Sequence, residues 1–139
     1  MKNTKKGFTL VELLVVIAIL AILATVSVVG YTSFINRAEE SNAQTEAHQI
    51  KAVIESALIG VDYVVVSDTA NNIIIAYEED GKVVFTADVS DVEGTDYDDI
   101  SDDLTEYASK LTVTTEGGLN YEYSDDVTID VMTGKVVNE

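Results

Sequence analysis

The chain has 139 residues, 25 acidic against 8 basic, a net charge of −17, and neither cysteine nor proline. That length leaves room for one domain beside an anchor. So acidic a chain repels phosphate backbones, which argues against direct nucleic-acid binding, and without cysteine it has no disulfide framework and no thiol nucleophile. The acidity is unevenly placed. The first sixty residues carry five basic and five acidic groups, whereas from Val61 onward twenty acids face only Lys82, Lys110 and Lys135.

The chain opens on Lys2, Lys5, Lys6, Gly7 and Phe8, then runs uncharged to Asn36 except for Glu12. Such a run exceeds the ~20 residues that cross a bilayer core, and lysines ahead of it hold that end in the cytoplasm. A carboxylate inside the run is costly unless it is paired or kept wet. No basic residue within the run offers a partner. A cut after Gly7 would supply one, because the new amine of Phe8 would lie four residues from Glu12, roughly 6 Å along a helix. The amine of a neighbouring copy would serve equally. A charge pair of this kind is similar in size to the insertion cost, so pairing between copies turns a misplaced charge into an assembly signal. A secretory signal peptide has a shorter apolar core and a small-residue cleavage site, for which Thr25-Val26-Ser27 is a poor candidate. A plain signal anchor explains the length and the lysines but leaves Glu12 unexplained.

Lys6-Gly7-Phe8-Thr9-Leu10-Val11-Glu12 followed by an aliphatic run resembles the leader and N-terminus of type IV prepilins, a family that includes the pseudopilins. The resemblance covers about the first sixty residues. It implies that residues 1–7 are a leader removed by prepilin peptidase between Gly7 and Phe8, and that Phe8 is then N-methylated. It also implies that Phe8 and Glu12 dock one subunit on the next. Residues 8–36 are then the transmembrane and filament-core helix, and 37–139 the globular head with the C-terminal half of the helix. The implied product is a structural subunit, a major pilin, with a minor pilin or a pseudopilin of a secretion or DNA-uptake system as the alternative. Its implied partners are other pilin subunits, the peptidase, the pilus assembly machinery, and membrane lipid before assembly. It would be stored in the cytoplasmic membrane as a single-pass precursor and become extracellular in a filament serving motility, adhesion or biofilm formation. Family members from bacteria with an outer membrane usually carry a disulfide near the C-terminus, and this chain departs from that pattern.

After Arg37 the sequence turns amphipathic. Phe34, Ala38, Ala43, Ala47, Ile50, Ile54, Ala57 and Leu58 recur mostly at steps of three and four, with acids between them. One helix is predicted over 8–59, with Gly60 as its C-cap. Tyr31 and Phe34 stand where an aromatic belt would form. Beyond Gly60, residues 61–66 and 73–77 are rich in β-branched and aromatic types. Hairpins are predicted at Asp80-Gly81, joining 73–77 to 82–86; at Gly117-Gly118, joining 112–115 to 119–123; and at Thr133-Gly134, joining 127–132 to 135–137. Ile100, Leu104, Tyr107, Ala108 and Leu111 keep helical steps, predicting a short helix over 98–109. The fold class is α+β: a long N-terminal helix whose C-terminal half packs on a small antiparallel sheet.

Chemistry is sparse. There is no phosphate loop and no nucleophile elbow, and the lone His48 has no second soft ligand for a metal, so no catalytic residue, cofactor or metal site is expected. The acidic tract 88–103 invites calcium, yet no window has the EF-hand spacing.

Overall fold

The computed structural model describes residues 7–69, 72–88, 90 and 96–137. The chain divides into two compact units, Met1–Ala38 and Glu39–Glu139. A single helix, α1 (Leu10–Ala57), contributes its first part to one unit and its remainder to the other. It begins and ends two residues inside the expected bounds. Gly60, at φ +87°, adopts the left-handed conformation that only glycine takes readily, and so turns the chain off the helix.

In the first unit α1 is nearly all aliphatic, and its large apolar side chains from Leu10 to Val29 are exposed. In the second, Ala43, Ala47, Ile50 and Ile54 are fully buried at steps of four, three and four, one face of a helix. The small pair, Ala43 and Ala47, packs on Val127 and Ile129. The large pair, Ile50 and Ile54, enters the main core with Val64, Val66, Ile74, Phe85, Leu119 and Tyr121.

The head is divided more finely than the expected single sheet. Strands β1 (Tyr63–Thr69), β2 (Asn72–Glu79), β3 (Lys82–Thr86) and β4 (Tyr97–Asp99) form one sheet in the order β3-β2-β1-β4. β1–β2 and β2–β3 are antiparallel, but β4 runs parallel to β1. Strands β5 (Leu111–Val113), β6 (Leu119–Ser124), β7 (Val127–Asp130) and β8 (Val136–Val137) form a second, wholly antiparallel sheet in chain order. All three predicted hairpins are present. Asp80 and Gly81 both have positive φ, +51° and +76°, as a two-residue turn of matched twist requires.

The short helix expected over 98–109 is not formed. Asp99 ends β4, the Ile100 amide bonds Val65 O at 3.0 Å, and the chain then passes through turns to one 3-10 turn at Ala108–Lys110. Four local hydrogen bonds explain the break. The Asp99 carboxylate takes the Ser101 N–H and hydroxyl at 3.0 and 2.6 Å, and the Thr105 hydroxyl donates to the carbonyls of Ser101 and Asp102. Side chains that occupy backbone groups in this way compete with the helical ladder. Ile100, Leu104, Ala108 and Leu111 are nevertheless buried at helical steps, so the apolar pattern describes the packing although the hydrogen-bonding is that of turns.

Main-chain and side-chain bonds stitch the two sheets together. The Phe85 amide donates to Gly117 O at 2.9 Å, and Asn72 Nδ2 donates to Ala108 O and Leu111 O at 3.0 and 2.9 Å. The β7–β8 turn is tied to the helix by Lys51 Nζ, which donates to Met132 O at 2.9 Å. His48 lies beside this turn, where a Cβ at Gly134 would stand 3.5 Å from its ring. That contact is one of packing.

Candidate functional site

The residues expected to matter gather at the start of α1. Gly7, Phe8 and Thr9 precede the helix, so the Gly7–Phe8 peptide lies outside regular structure. Both flanking residues are exposed, Phe8 at 82%. Among the described residues, a Cβ at Gly7 would meet nothing within 4 Å. Lys2, Lys5 and Lys6 lie outside the described residues.

Glu12 sits in the first turn. Its Oε2 accepts the Thr9 N–H at 3.0 Å and the Thr9 hydroxyl at 2.9 Å, while Thr9 Oγ1 accepts the Glu12 N–H at 3.3 Å. This reciprocal pair is a capping box, which satisfies two backbone donors that a helix start leaves open. The signal was present in the sequence as Thr9-Leu10-Val11-Glu12, a T-x-x-E ahead of an apolar run. Reading Glu12 only as a misplaced charge overlooks it. The structure thus joins Glu12 to Thr9, next to Phe8 in the chain.

From Leu10 to Val29, fourteen large hydrophobic side chains are each at least 48% exposed. Among the described residues nothing covers them. At roughly 1 kcal/mol or more for each half-exposed side chain, covering this surface is worth over ~10 kcal/mol. The span is long and apolar enough to cross a membrane, with an 18-residue window of mean hydropathy 3.0. Its few hydroxyls suit lipid as well: Thr25, Ser27 and Thr32 donate to the carbonyls of Ile22, Leu23, and Val28 and Val29. Polar groups satisfied within one helix can enter hydrocarbon.

The head offers electrostatics and little chemistry. The Tyr121 hydroxyl donates to Glu46 Oε2 at 2.5 Å, and Tyr107 and Tyr123 meet the Tyr121 ring edge-on at 5.6 and 6.4 Å. Burial, the hydrogen bond and the Glu46 charge push the Tyr121 phenol well above its ordinary range. In the acidic tract, hydrogen bonds from Ser90 and Ser101 hold Asp88 and Asp99 below the usual carboxylate range. Among the described residues, no three His, Cys, Asp or Glu side chains are placed to hold a metal. Residues 89 and 91–95 of that tract lie outside them.

The family model for the prokaryotic N-terminal methylation motif matches residues 2–28. The chain is similar to type IV major fimbrial proteins FimA of Dichelobacter nodosus. Three are 36%, 35% and 39% identical over 59 residues, which is 42% of this chain and 38%, 37% and 38% of each relative. The match therefore spans well under half the length of these relatives. No solved structure matches the chain. The first part of the chain thus carries the N-terminal methylation motif and is similar there to type IV major fimbrial proteins, ahead of a sheet-bearing head.

Proposed function

We propose that the chain is the major structural subunit of a type IV pilus. It is stored in the cytoplasmic membrane as a single-pass precursor, cut by prepilin peptidase between Gly7 and Phe8, N-methylated at Phe8, and polymerised into an extracellular filament by the pilus assembly machinery. The observation that carries this reading is the bare apolar first part of α1, whose fourteen exposed hydrophobics need lipid before assembly and neighbouring copies after it. Two further features support it. The Gly7–Phe8 peptide precedes the helix, where a protease can take it extended, and a Cβ at Gly7 would meet no described atom within 4 Å. The relatives are named as major fimbrial proteins, which favours a main subunit over a minor pilin. The filament serves motility, adhesion or biofilm formation.

Glu12 then acts in docking, its carboxylate meeting the Phe8 amine of an adjacent subunit. Head-to-tail contacts that do not close generate an open fibre. The test is Glu12→Ala in cells that make filaments. The variant inserts in the membrane and is recovered there at wild-type amounts, yet sheared surface fractions contain few filaments. Normal filament yield from Glu12→Ala refutes the docking role.

A further inference from the structure

The contacts at the start of α1 divide the work of the two Glu12 oxygens. Oε2 accepts two hydrogen bonds, both from Thr9. Oε1 accepts none among the described residues. Thr9 Oγ1 meanwhile donates to Glu12 Oε2 and accepts the Glu12 N–H, so one hydroxyl holds both the side chain and the backbone of the same residue. An untethered glutamate must be ordered when it docks, and ordering it beforehand removes that entropic cost from association. The two bonds also keep the acid stabilised while the precursor is in lipid, since charge-assisted bonds to a carboxylate are among the strong ones.

We propose that Thr9 is a positioning residue for assembly: it pins Glu12 by Oε2 and leaves Oε1 directed to the α-amine of a second copy of this chain. The inference rests on the docking role of Glu12. It requires a hydroxyl at position 9, because that group must donate to the acid and accept from its amide at once.

The full-length chain is expressed in filament-forming cells as wild type, Thr9→Ser, Thr9→Val, Thr9→Gly and Glu12→Gln. Surface filaments are measured relative to processed subunit in the membrane. Glycine is nearly as good a helix start as threonine but has no hydroxyl, so it separates capping from pinning. Thr9→Ser assembles as wild type, whereas Thr9→Val and Thr9→Gly each yield about tenfold fewer filaments, as the loss of a hydrogen bond to a charged group implies. Wild-type yield from Thr9→Gly makes position 9 a mere cap and overturns the proposal. Wild-type yield from Thr9→Val overturns it too, leaving the docking role standing if Glu12→Gln still fails. Wild-type yield from Glu12→Gln removes the docking role and the proposal with it. Should a variant be depleted from the membrane, amide exchange of the full chain in detergent micelles decides. The position-9 amide donates to Glu12 Oε2; its protection in wild type and Thr9→Ser but not in Thr9→Val supports the pinning, and equal rates in all three overturn it.

Discussion

Tyr121 and Glu46 form the polar contact that joins sheet to helix inside the head. Replacing Tyr121 by Phe removes a partly buried hydrogen bond to a charged acceptor, and the full chain in detergent is expected to lose about 1–2 kcal/mol in urea unfolding. A loss within error would mean that Glu46 is as well served by water. The phenol titrates higher in the folded head than in the unfolded chain. Its stabilisation is therefore complete below about pH 10 and fades as pH rises through the folded value. Unfolding curves of the wild type should weaken in strong alkali, and those of Tyr121→Phe should weaken less. Asp99 gives the opposite sign, because its folded value is depressed by Ser101. Its contribution is complete above about pH 3.9 and disappears as pH falls through the folded value. Ser101→Ala removes the hydroxyl donor, so the acid limb of the stability profile should flatten.

At the scale of elements, the β5–β6 turn shows how one residue type fixes a junction. Gly117 has φ +77°, its carbonyl accepts the Phe85 amide, and a Cβ there would stand 2.8 Å from Val84 Cγ1. Gly117→Ala combines backbone strain with a clash against the first sheet, and should cost about 1–3 kcal/mol, read as a lower thermal midpoint. An unchanged midpoint would show that β3 and the turn move apart freely. The sequence made this hairpin and its two companions readable because Asp80-Gly81, Gly117-Gly118 and Thr133-Gly134 are local signals. The helix was equally legible, since the spacing of Ala43, Ala47, Ile50 and Ile54 depends only on neighbours along the chain. The division into two sheets was not legible. It depends on β4 pairing parallel with β1 across a long connection, which no short-range pattern encodes. The turns at 101–107 were misread because Asp99, Ser101 and Thr105 use side-chain oxygens where a helix would use its own backbone. At the start of α1, Glu12 stood out by its charge, while its pairing with Thr9 lay in a four-residue pattern overshadowed by the apolar run.

Across the whole molecule the first helix and the head pose opposite problems. The apolar first part of α1 needs cover, and the head from Val61 onward carries twenty acids against three bases. Among the described residues there is a single ion pair, Lys51–Glu55 at 3.7 Å. All three later lysines are described, and one of them, Lys110, is directed to a carbonyl, that of Tyr123 at 3.4 Å, as is Lys51 on the helix. Subunits packed side by side therefore bring polyanions together. Screening within about 10 Å at 0.1 M salt should ease that packing, so filaments should be more stable at moderate ionic strength than at low. Disassembly on raising salt would contradict it. The proposed assembly turns on a helix exchanged from lipid to fibre after its leader is removed. Mass spectrometry of the first residue of the extracellular protein tests this most directly. The expected chain begins at Phe8 and carries one N-methyl group, whereas secreted material that still begins at Met1 would rule the exchange out.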